Sequence, residues 1–262
     1  MKPSVWQALE GARLIQGKVA LITGAAMGIG KAIAKLFAHQ GARLALVDLR
    51  EKELMALVDE VRRDGGKAIG FAGDITEIRV VDALFAGTLK EYGRLDILVN
   101  NAGGGLPTDF FEITPEEWNQ IIGLNLTAVF SLSQRAARVF REQKGGVIVN
   151  LSSQAGRSVS PTAGVHYTAS KAGLLGLTRH MAKVLGKDNI RVNAICPGVT
   201  NSERLMARLQ VKGSVEATAQ SIPLGRIGDV DEIAAACLFL ASDMASYVTG
   251  ASLDVNGGAL MM

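Results

Sequence analysis

Residues 18–41 combine a strand, a glycine-rich loop and a helix within a short length of chain. Residues 18–23 form an apolar run of strand length, Gly24-Ala-Ala-Met-Gly-Ile-Gly30 follows, and apolar residues then recur at helical spacing up to Gly41. Glycines at such a turn let the backbone approach a pyrophosphate, and the start of the helix offers unpaired N–H groups to an anion. The spacing differs from the common Gly-x-Gly-x-x-Gly dinucleotide fingerprint, so a simple tight turn stays an alternative.

The same alternation of apolar runs and helical stretches continues along the chain. Further strands are predicted at residues 43–48, 67–72, 95–100, 146–151, 190–195 and 252–255. Strands that alternate with helices favour an α/β fold, here a doubly wound parallel sheet of about seven strands with helices on both faces. We predict one domain over residues 18–262, preceded by an N-terminal extension, residues 1–17. The extension packs on the domain, packs on a partner subunit, or is a disordered tail.

Composition and charge exclude several classes of function. The 28 basic and 25 acidic residues nearly balance, so charge gives no support for binding nucleic acid or a membrane surface. The two cysteines, Cys196 and Cys237, lie in apolar surroundings and show no metal-binding or disulfide spacing. We find no signal peptide and no membrane span, and we expect a cytoplasmic protein without a metal.

Two acidic residues follow predicted strands. Asp48 stands 18 residues after Gly30, where its carboxylate can accept hydrogen bonds from ribose hydroxyls and would repel a 2′-phosphate. The alternative is a cap for the helix predicted at residues 51–64, and Arg50 is the counter-argument because it could neutralise a phosphate. Asp74 follows the third strand and either meets an adenine amino group or serves as a turn residue.

The most informative side chains for chemistry lie between residues 153 and 171. Tyr167 and Lys171 are four residues apart in a predicted helix, residues 165–185, and so share one face. A nearby ammonium favours the phenolate and lowers the pKa of a tyrosine from about 10, which makes the pair a proton-transfer group. Ser153 follows a strand and can hold a carbonyl or alcohol oxygen. Asn125 is either a satisfied buried amide or a holder of water in line with Lys171.

Taken together, these motifs resemble the classical short-chain dehydrogenase/reductase family. The matching segments occur in order over residues 18–258: Thr23 to Gly30, Asn100-Asn-Ala-Gly103, Asn125, Ser153, Tyr167-x-x-x-Lys171 and Pro197-Gly198. The resemblance implies a Rossmann-type fold and a nicotinamide-dependent enzyme, with Asn125, Ser153, Tyr167 and Lys171 as catalytic residues. The cofactor contacts that it implies are Gly24, Met27, Gly28, Ile29, Asp48, Asp74, Ile75, Asn101, Ala102, Gly103, Tyr167, Lys171, Pro197, Gly198, Val199 and Thr200.

The resulting hypothesis is an NAD-dependent oxidoreductase that interconverts a secondary alcohol and a ketone, with Tyr167 as general acid/base. One alternative is a 3-oxoacyl-[acyl-carrier-protein] reductase-like enzyme, although such relatives carry an arginine in the glycine loop where this chain has Met27. Another is a non-catalytic NAD-binding member of the fold, which would not need Tyr167. The resemblance and the apolar stretches 118–141, 165–185 and 257–262 lead us to expect a homotetramer.

Four details bear on the substrate. The interval from Ser153 to Tyr167 is 14 residues, one longer than in many relatives, and Ser152 is the competing serine. Gly104 and Gly105 are expected to add a flexible loop after the fourth strand. Arg157 and Arg204 either meet an anionic substrate or are solvated at the surface. Residues 201–224 are a candidate lid.

Overall fold

The computed structural model describes residues 5–9, 11–160, 162–203 and 215–262. Seven parallel strands form one sheet in the order β3-β2-β1-β4-β5-β6-β7. They are β1 Val19–Thr23, β2 Arg43–Asp48, β3 Lys67–Ala72, β4 Ile97–Asn100, β5 Gly146–Leu151, β6 Ile190–Pro197 and β7 Ser252–Val255. The order reverses between β1 and β4, as in a doubly wound sheet. The predicted α/β fold is confirmed.

Nine α-helices of the described chain connect or flank the strands. They are α1 Val5–Ala8, α2 Gly28–His39, α3 Glu51–Arg63, α4 Ile78–Tyr92, α5 Pro115–Ile122, α6 Ala128–Glu142, α7 Val165–Leu185, α8 Val215–Gln220 and α9 Val230–Ala241. A π-helix, Gly123–Thr127, joins α5 to α6. Such π-turns are frequent at functional sites.

The sheet is covered on both faces because its strands are apolar on both faces. All five residues of β1 are buried, and its four apolar residues alternate between two hydrophobic clusters. One cluster contains side chains from α2, α3 and α9, and the other contains side chains from α4, α6 and α7. Each large side chain buried in these clusters contributes about 1.5–3 kcal/mol. This packing fixes the carboxyl edge of the sheet, where the predicted site residues lie.

The described part of the N-terminal extension packs on the domain that follows it. The indole N–H of Trp6 donates a hydrogen bond of 2.8 Å to Asp231 of α9, and the Trp6 ring meets the His39 ring edge-to-face at 5.4 Å. Ile15 is 2% exposed and belongs to the hydrophobic core. Of the alternatives considered for this segment, the structure shows packing on the domain surface.

Candidate active site

The loop between β1 and α2 has the shape that an anion site requires. Gly24 and Gly28 have φ of 64° and 53°, in the left-handed region that favours glycine. A Cβ at Gly30 would overlap the carbonyl oxygen of Gly24. Met27, the N-cap of α2, makes no side-chain cap hydrogen bond. The loop therefore presents first-turn N–H groups of α2 without a side-chain cap, which fits the pyrophosphate of a dinucleotide.

Asn101 and Thr23 hold this loop against the end of β4. The Asn101 amide donates 2.9 Å hydrogen bonds to the carbonyl oxygens of Thr23 and Gly24. The Thr23 hydroxyl accepts hydrogen bonds from the backbone N–H groups of Asn101 and Ala102, at 3.0 and 2.9 Å. The Asn101 side chain, predicted to contact the cofactor, thus braces the glycine loop.

Asp48 lies at the end of β2 and connects that strand to the glycine loop. One carboxylate oxygen accepts a 2.9 Å hydrogen bond from the N–H of Ala26, and the other accepts a 3.0 Å bond from the N–H of Arg50. The N-cap of α3 is Arg50, so Asp48 is not the helix cap that was considered as its alternative role. The Arg50 guanidinium lies 3.7 Å from the carboxylate of Glu53, and both side chains are about half exposed.

Asp74 is a turn residue in this structure. Its Oδ1 accepts 2.8 Å hydrogen bonds from both the N–H and the hydroxyl of Thr76. Ile75 beside it is buried. The turn role that the sequence left open is therefore present, and a contact between Asp74 and adenine stays a prediction.

Lys171 lies buried one helical turn from Tyr167. Its Nζ donates a 2.7 Å hydrogen bond to the carbonyl oxygen of Leu151 and lies 5.7 Å from the centroid of the Tyr167 ring. Burial lowers the pKa of Lys171 to about 8, with a smaller opposing effect from Cys196. An amine of this pKa is still mainly an ammonium at neutral pH. It supplies the positive charge that the sequence predicts beside the phenol.

The two adjacent serines have different environments. The Ser152 side chain is buried and donates a 2.9 Å hydrogen bond to the carbonyl oxygen of Lys171. The Ser153 side chain is partly exposed, and its oxygen accepts a 3.1 Å hydrogen bond from the N–H of Ala155. The hydroxyl hydrogen of Ser153 is not used in that bond. This difference supports Ser153 over Ser152 as the residue that meets substrate.

The three glycines after β4 pack tightly on the predicted catalytic side chains. A Cβ at Gly103 would lie 2.6 Å from the Asn125 oxygen and 3.1 Å from Lys171 Nζ, and one at Gly105 would lie 2.7 Å from the Tyr167 ring. The Asn125 amide exchanges two hydrogen bonds with the backbone of Gly104, at 3.1 and 2.8 Å. These glycines permit close approach to side chains, and the flexibility of the loop stays a prediction.

Asn125 is itself completely buried. Besides its bonds to Gly104, its Nδ2 donates a 2.9 Å hydrogen bond to the carbonyl oxygen of Ile121, which uses both amide hydrogens. The interpretation as a satisfied buried amide therefore describes the side chain. A water held near Lys171 stays a prediction.

Pro197 ends β6, and residues 198–200 follow it at the same edge of the sheet. Gly198 donates its N–H to the carbonyl oxygen of Val255 at 3.0 Å, and the Thr200 hydroxyl donates to the carbonyl oxygen of Gly198 at 3.1 Å. The chain then reaches the glycine loop, because a Cβ at Gly28 would lie 3.3 Å from Cβ of Ser202. Arg204 and the stretch 204–214 of the candidate lid lie outside the described residues.

Arg157 lies in an ion pair, and of the two roles that the sequence suggested, a contact with an anionic substrate stays a prediction. Its Nε lies 2.7 Å from a carboxylate oxygen of Asp254, and its NH2 group donates a 2.6 Å hydrogen bond to the carbonyl oxygen of Ser252. The guanidinium is therefore an anchor that holds the chain after Ser153 to β7. It is only 20% exposed, so surface solvation is not its use.

Sequence reasoning missed one polar contact next to this site. His166 is completely buried, and its Nε2 lies 2.8 Å from Oε1 of Glu117. The two residues are separated by 49 positions, and no spacing rule connects them. A histidine beside the predicted acid/base tyrosine was the only available signal.

Two kinds of feature do not occur within residues 5–9, 11–160, 162–203 and 215–262. No three histidine, cysteine, aspartate or glutamate side chains are grouped as metal ligands there. Likewise, none of the helices described has the length and apolar character needed to cross a membrane.

Comparison with known proteins identifies the family. The model for enoyl-(acyl carrier protein) reductase, a short-chain alcohol dehydrogenase family, matches residues 24–259. The chain belongs to the classical short-chain dehydrogenase/reductase family. It is an oxidoreductase acting on CH–OH groups, and the expectation of such an enzyme is confirmed at this level.

Among its relatives, the chain is 42% identical to a 3alpha-hydroxysteroid dehydrogenase of Mediterraneibacter gnavus over 248 residues, 94% of this chain and 98% of that protein. It is 39% identical to a 3-oxoacyl-[acyl-carrier-protein] reductase of Thermotoga maritima over 247 residues, 94% of this chain and 99% of that protein. The structure is similar, with a TM-score of 0.89 and 38% identity, to a 7 alpha-hydroxysteroid dehydrogenase complexed with NADH and 7-oxo glycochenodeoxycholic acid. That similarity covers 95% of this chain and 96% of the other.

Proposed function

We propose that this chain is an NAD-dependent dehydrogenase that interconverts a secondary alcohol and a ketone, with Tyr167 as the general acid/base. The observation that carries the proposal is the buried Lys171 ammonium, 5.7 Å from the Tyr167 ring, beside the partly exposed Ser153. An intact set of these residues argues against a non-catalytic binding protein. We also propose residues 18–262 as the catalytic domain, with residues 1–17 as its extension.

Each side chain has a role that its contacts permit. In its hydrogen bond with the N–H of Ala155, the Ser153 oxygen is the acceptor, so the Ser153 O–H is still available as a donor. In the proposed mechanism this O–H donates a hydrogen bond to the substrate oxygen. In oxidation the Tyr167 phenolate takes the alcohol proton, and in reduction the Tyr167 hydroxyl gives a proton to the ketone oxygen. The Lys171 ammonium stabilises the phenolate. A bound NAD supplies the hydride acceptor, and its reduced form supplies the hydride.

Asn125 supports this arrangement in two ways. Its amide fixes Gly104, and this holds the loop that packs on Tyr167 and Lys171. We propose that it also helps to hold a water that exchanges a proton with Lys171. That water would return the proton to solvent after each turnover.

The residues at the carboxyl edge of the sheet fit a dinucleotide. Gly24, Met27, Gly28 and Ile29 would hold its pyrophosphate at the start of α2, and Asp48 would accept hydrogen bonds from the adenosine ribose. We propose that the remaining contacts come from Asp74, Ile75, Asn101, Ala102, Gly103, Tyr167, Lys171 and residues Pro197 to Thr200. The tight approach at Gly30 and the absence of a side-chain cap on α2 support this placement.

The preference for NAD over its 2′-phosphorylated form rests on Asp48. Each of its carboxylate oxygens accepts one backbone hydrogen bond, so the group is held in place with lone pairs remaining. A phosphate at the same position would face like charge. Arg50, the nearest cation along the chain, lies beside Glu53. The structural neighbour bound to NADH supports the same choice.

The second candidate function is reduction of a 3-oxoacyl thioester on acyl carrier protein. It is favoured by the 39% identity to a reductase of that name. Met27 stands against it, since the resemblance places an arginine at this position in such reductases. The two hydroxysteroid dehydrogenases among the relatives place cyclic secondary alcohols first among substrates to test.

A substrate panel separates these functions. NAD reduction is followed at 340 nm with hydroxysteroids, polyols and hydroxy acids, and NADPH oxidation is followed with an acetoacetyl thioester. The proposal predicts NAD-dependent oxidation of at least one secondary alcohol and loss of that activity in Tyr167→Phe. Turnover of the thioester alone, with NADPH, would select the second function. Stoichiometric NADH binding without turnover in any assay would support a binding protein.

We propose that the enzyme is a cytoplasmic homotetramer. Apolar side chains remain uncovered on several surfaces, among them Phe130 at 48%, Val184 at 44% and Met262 at 81% exposure. Leaving such surface in water is unfavourable, and a second copy of the chain would cover it. Buried free thiols at Cys196 and Cys237 suit a reducing compartment. Light scattering that gives a monomer mass at micromolar concentration would contradict the tetramer.

A further inference from the structure

His166 immediately precedes Tyr167 and has no role in the proposed proton transfer. Its Nδ1 accepts a 3.0 Å hydrogen bond from the backbone N–H of Tyr167, and its Nε2 lies 2.8 Å from Oε1 of Glu117. Because Nδ1 is an acceptor, the tautomer assigned from these contacts carries its proton on Nε2 and donates it to Glu117. One neutral form of the imidazole therefore satisfies both ring nitrogens.

The start of α7 explains what this imidazole does. Gly164 is the N-cap of the helix and has no side chain with which to accept a first-turn N–H. Tyr167 is the third residue of the helix, and the N–H at this position normally donates a hydrogen bond to the side chain of the N-cap residue. Here the N–H of Tyr167 donates to Nδ1 of His166 and, at 3.1 Å, to the carbonyl oxygen of Gly164. His166 thus replaces a missing cap at the backbone of Tyr167.

Gly164 leaves the space in which the imidazole lies. A Cβ at this position would be 2.7 Å from Cε1 of His166 and 3.1 Å from the carbonyl oxygen of Thr108. The N–H of Gly164 donates a 2.7 Å hydrogen bond to the carbonyl oxygen of Leu106. The start of α7 is therefore packed against the loop that also contacts the Tyr167 ring through Gly105.

Glu117 holds the other side of the imidazole from a different helix. A hydrogen bond from the Thr108 side chain, opposed by desolvation and reinforced by His166, holds the pKa of the Glu117 carboxyl below its ordinary value. Glu117 lies in α5, which continues directly into the π-helix that carries Asn125. The Glu117–His166 contact therefore connects the element that carries Asn125 to the helix that carries Tyr167 and Lys171.

We propose that His166 and Glu117 are positioning residues that set the place of Tyr167 relative to Lys171 and Ser153. The inference rests on the proposed role of Tyr167. A pair that only held α5 against α7 would not need to bond the backbone of the reacting residue. Positioning predicts that loss of the pair lowers kcat while NADH affinity is largely kept, because the glycine loop and Asp48 are unchanged.

The test compares His166→Ala, Glu117→Ala and the conservative Glu117→Gln and His166→Asn with two matched controls. His180→Ala replaces an exposed histidine on the same helix, and Glu116→Ala replaces an exposed neighbour of Glu117. With the alcohol that the wild type oxidises, kcat should fall about 10- to 100-fold in the two Ala variants. Both controls should stay within about twofold of the wild type, since they touch no catalytic contact.

Three further results are expected. Glu117→Gln should recover most of the activity, because its amide oxygen still accepts from His166. The double Ala variant should be no slower than His166→Ala alone, since both act through one chain of contacts. Deuterium exchange of the peptide over residues 165–171 should accelerate in His166→Ala, with NADH affinity and exchange at residues 24–30 unchanged. The exchange and affinity measurements need no substrate.

Several outcomes would overturn the inference. They are unchanged exchange at residues 165–171, a wild-type kcat in His166→Ala, equal damage from Glu117→Gln and Glu117→Ala, or a matching loss of NADH affinity. If the Ala variants do not fold, kcat, NADH affinity and exchange at residues 165–171 are compared between the wild type, His166→Asn and Glu117→Gln instead. Tyr167→Phe, assayed in parallel, separates the two proposals: activity in that variant removes the proposed function and the inference with it, whereas its inactivity beside a fully active His166→Ala removes the inference alone.

Discussion

Two glycine-rich loops meet at the carboxyl edge of the sheet, and their glycines serve different partners. In the loop between β1 and α2, Gly24 and Gly30 approach the backbone of Ala102 and of the loop itself, together with the bracing Asn101 amide. In the loop after β4, Gly103 and Gly105 approach the side chains of Lys171 and Tyr167. In the proposed function, the cofactor approaches the first loop, and the second loop packs on the residues that we propose to react. Glycine is needed in both because no Cβ fits.

The largest effect should come from removing the group that the second loop surrounds. Tyr167→Phe deletes only the phenolic oxygen, so kcat should fall at least about 10²- to 10⁴-fold, the range of general acid–base catalysis. NADH affinity, measured by calorimetry, should change little because the glycine loop, Asp48 and the other proposed cofactor contacts besides Tyr167 are untouched. A variant that retains over half of the wild-type rate would remove Tyr167 from the mechanism.

Replacing each of the two adjacent serines, Ser152 and Ser153, should have different effects. Ser153→Ala removes the hydroxyl that is free to meet substrate and should lower kcat about 100-fold, as for the loss of one preorganised donor to a reacting oxygen. Ser152→Ala loses one buried hydrogen bond to Lys171 and should cost only about 1 kcal/mol of stability. Steady-state kinetics decide the order, and a slower Ser152 variant would show that the wrong serine was chosen.

Among the proposed cofactor contacts, Asp48→Ala tests the preference for NAD over its 2′-phosphorylated form. The wild type should prefer NAD at least about tenfold in kcat/KM, because a 2′-phosphate would meet an uncompensated charge. The variant should lose most of that preference. Equal use of both cofactors by the wild type would sink the assignment, as would an unchanged preference in the variant.

The lowered pKa of Lys171 predicts that the stability of the folded protein depends on pH. Its folded pKa of about 8 lies below the ordinary lysine value, so the folded state binds fewer protons between about pH 8 and 10.4. The burial cost is fully present below pH 8 and is relieved as pH rises toward the unfolded pKa. Replacing the buried ammonium by Lys171→Met should therefore raise stability at pH 7 by on the order of 1–3 kcal/mol, or roughly 2–4 °C in Tm per kcal/mol, while abolishing activity.

The check on this prediction is thermal unfolding at pH 7 and pH 10. The stabilisation by Lys171→Met should be smaller at the higher pH, because the wild-type ammonium is by then largely neutral in the folded state. A variant that is less stable than the wild type at both values would show that the bond from Lys171 to Leu151 outweighs the burial of its charge.

The sequence predicts the local elements of the fold and site but not the contacts between residues far apart in the chain. The strands, the glycine loop and the Tyr167–Lys171 face follow from short-range patterns, since period and spacing dictate them. Asp48 was placed at the strand end, but its bond to Ala26 depends on how the loop folds back. The packing of Gly105 on Tyr167 and the bond from Glu117 to His166 join residues far apart in the chain. No local pattern encodes such contacts, so only the folded structure reveals them.

We propose that the loop after β1 serves cofactor binding and that the loop after β4 serves catalysis. A comparison of Gly30→Ala with Gly105→Ala in one experiment tests this proposal. NADH affinity by calorimetry and kcat are determined for both. Gly105→Ala should lower kcat about 10- to 100-fold, because the new methyl group displaces the Tyr167 ring at an overpacking cost of about 1–3 kcal/mol, and its NADH affinity should stay within about twofold. Gly30→Ala should weaken NADH binding instead. Contradiction would come from a Gly105→Ala enzyme with lost NADH affinity and normal kcat, or from a Gly30→Ala enzyme that binds NADH as the wild type does.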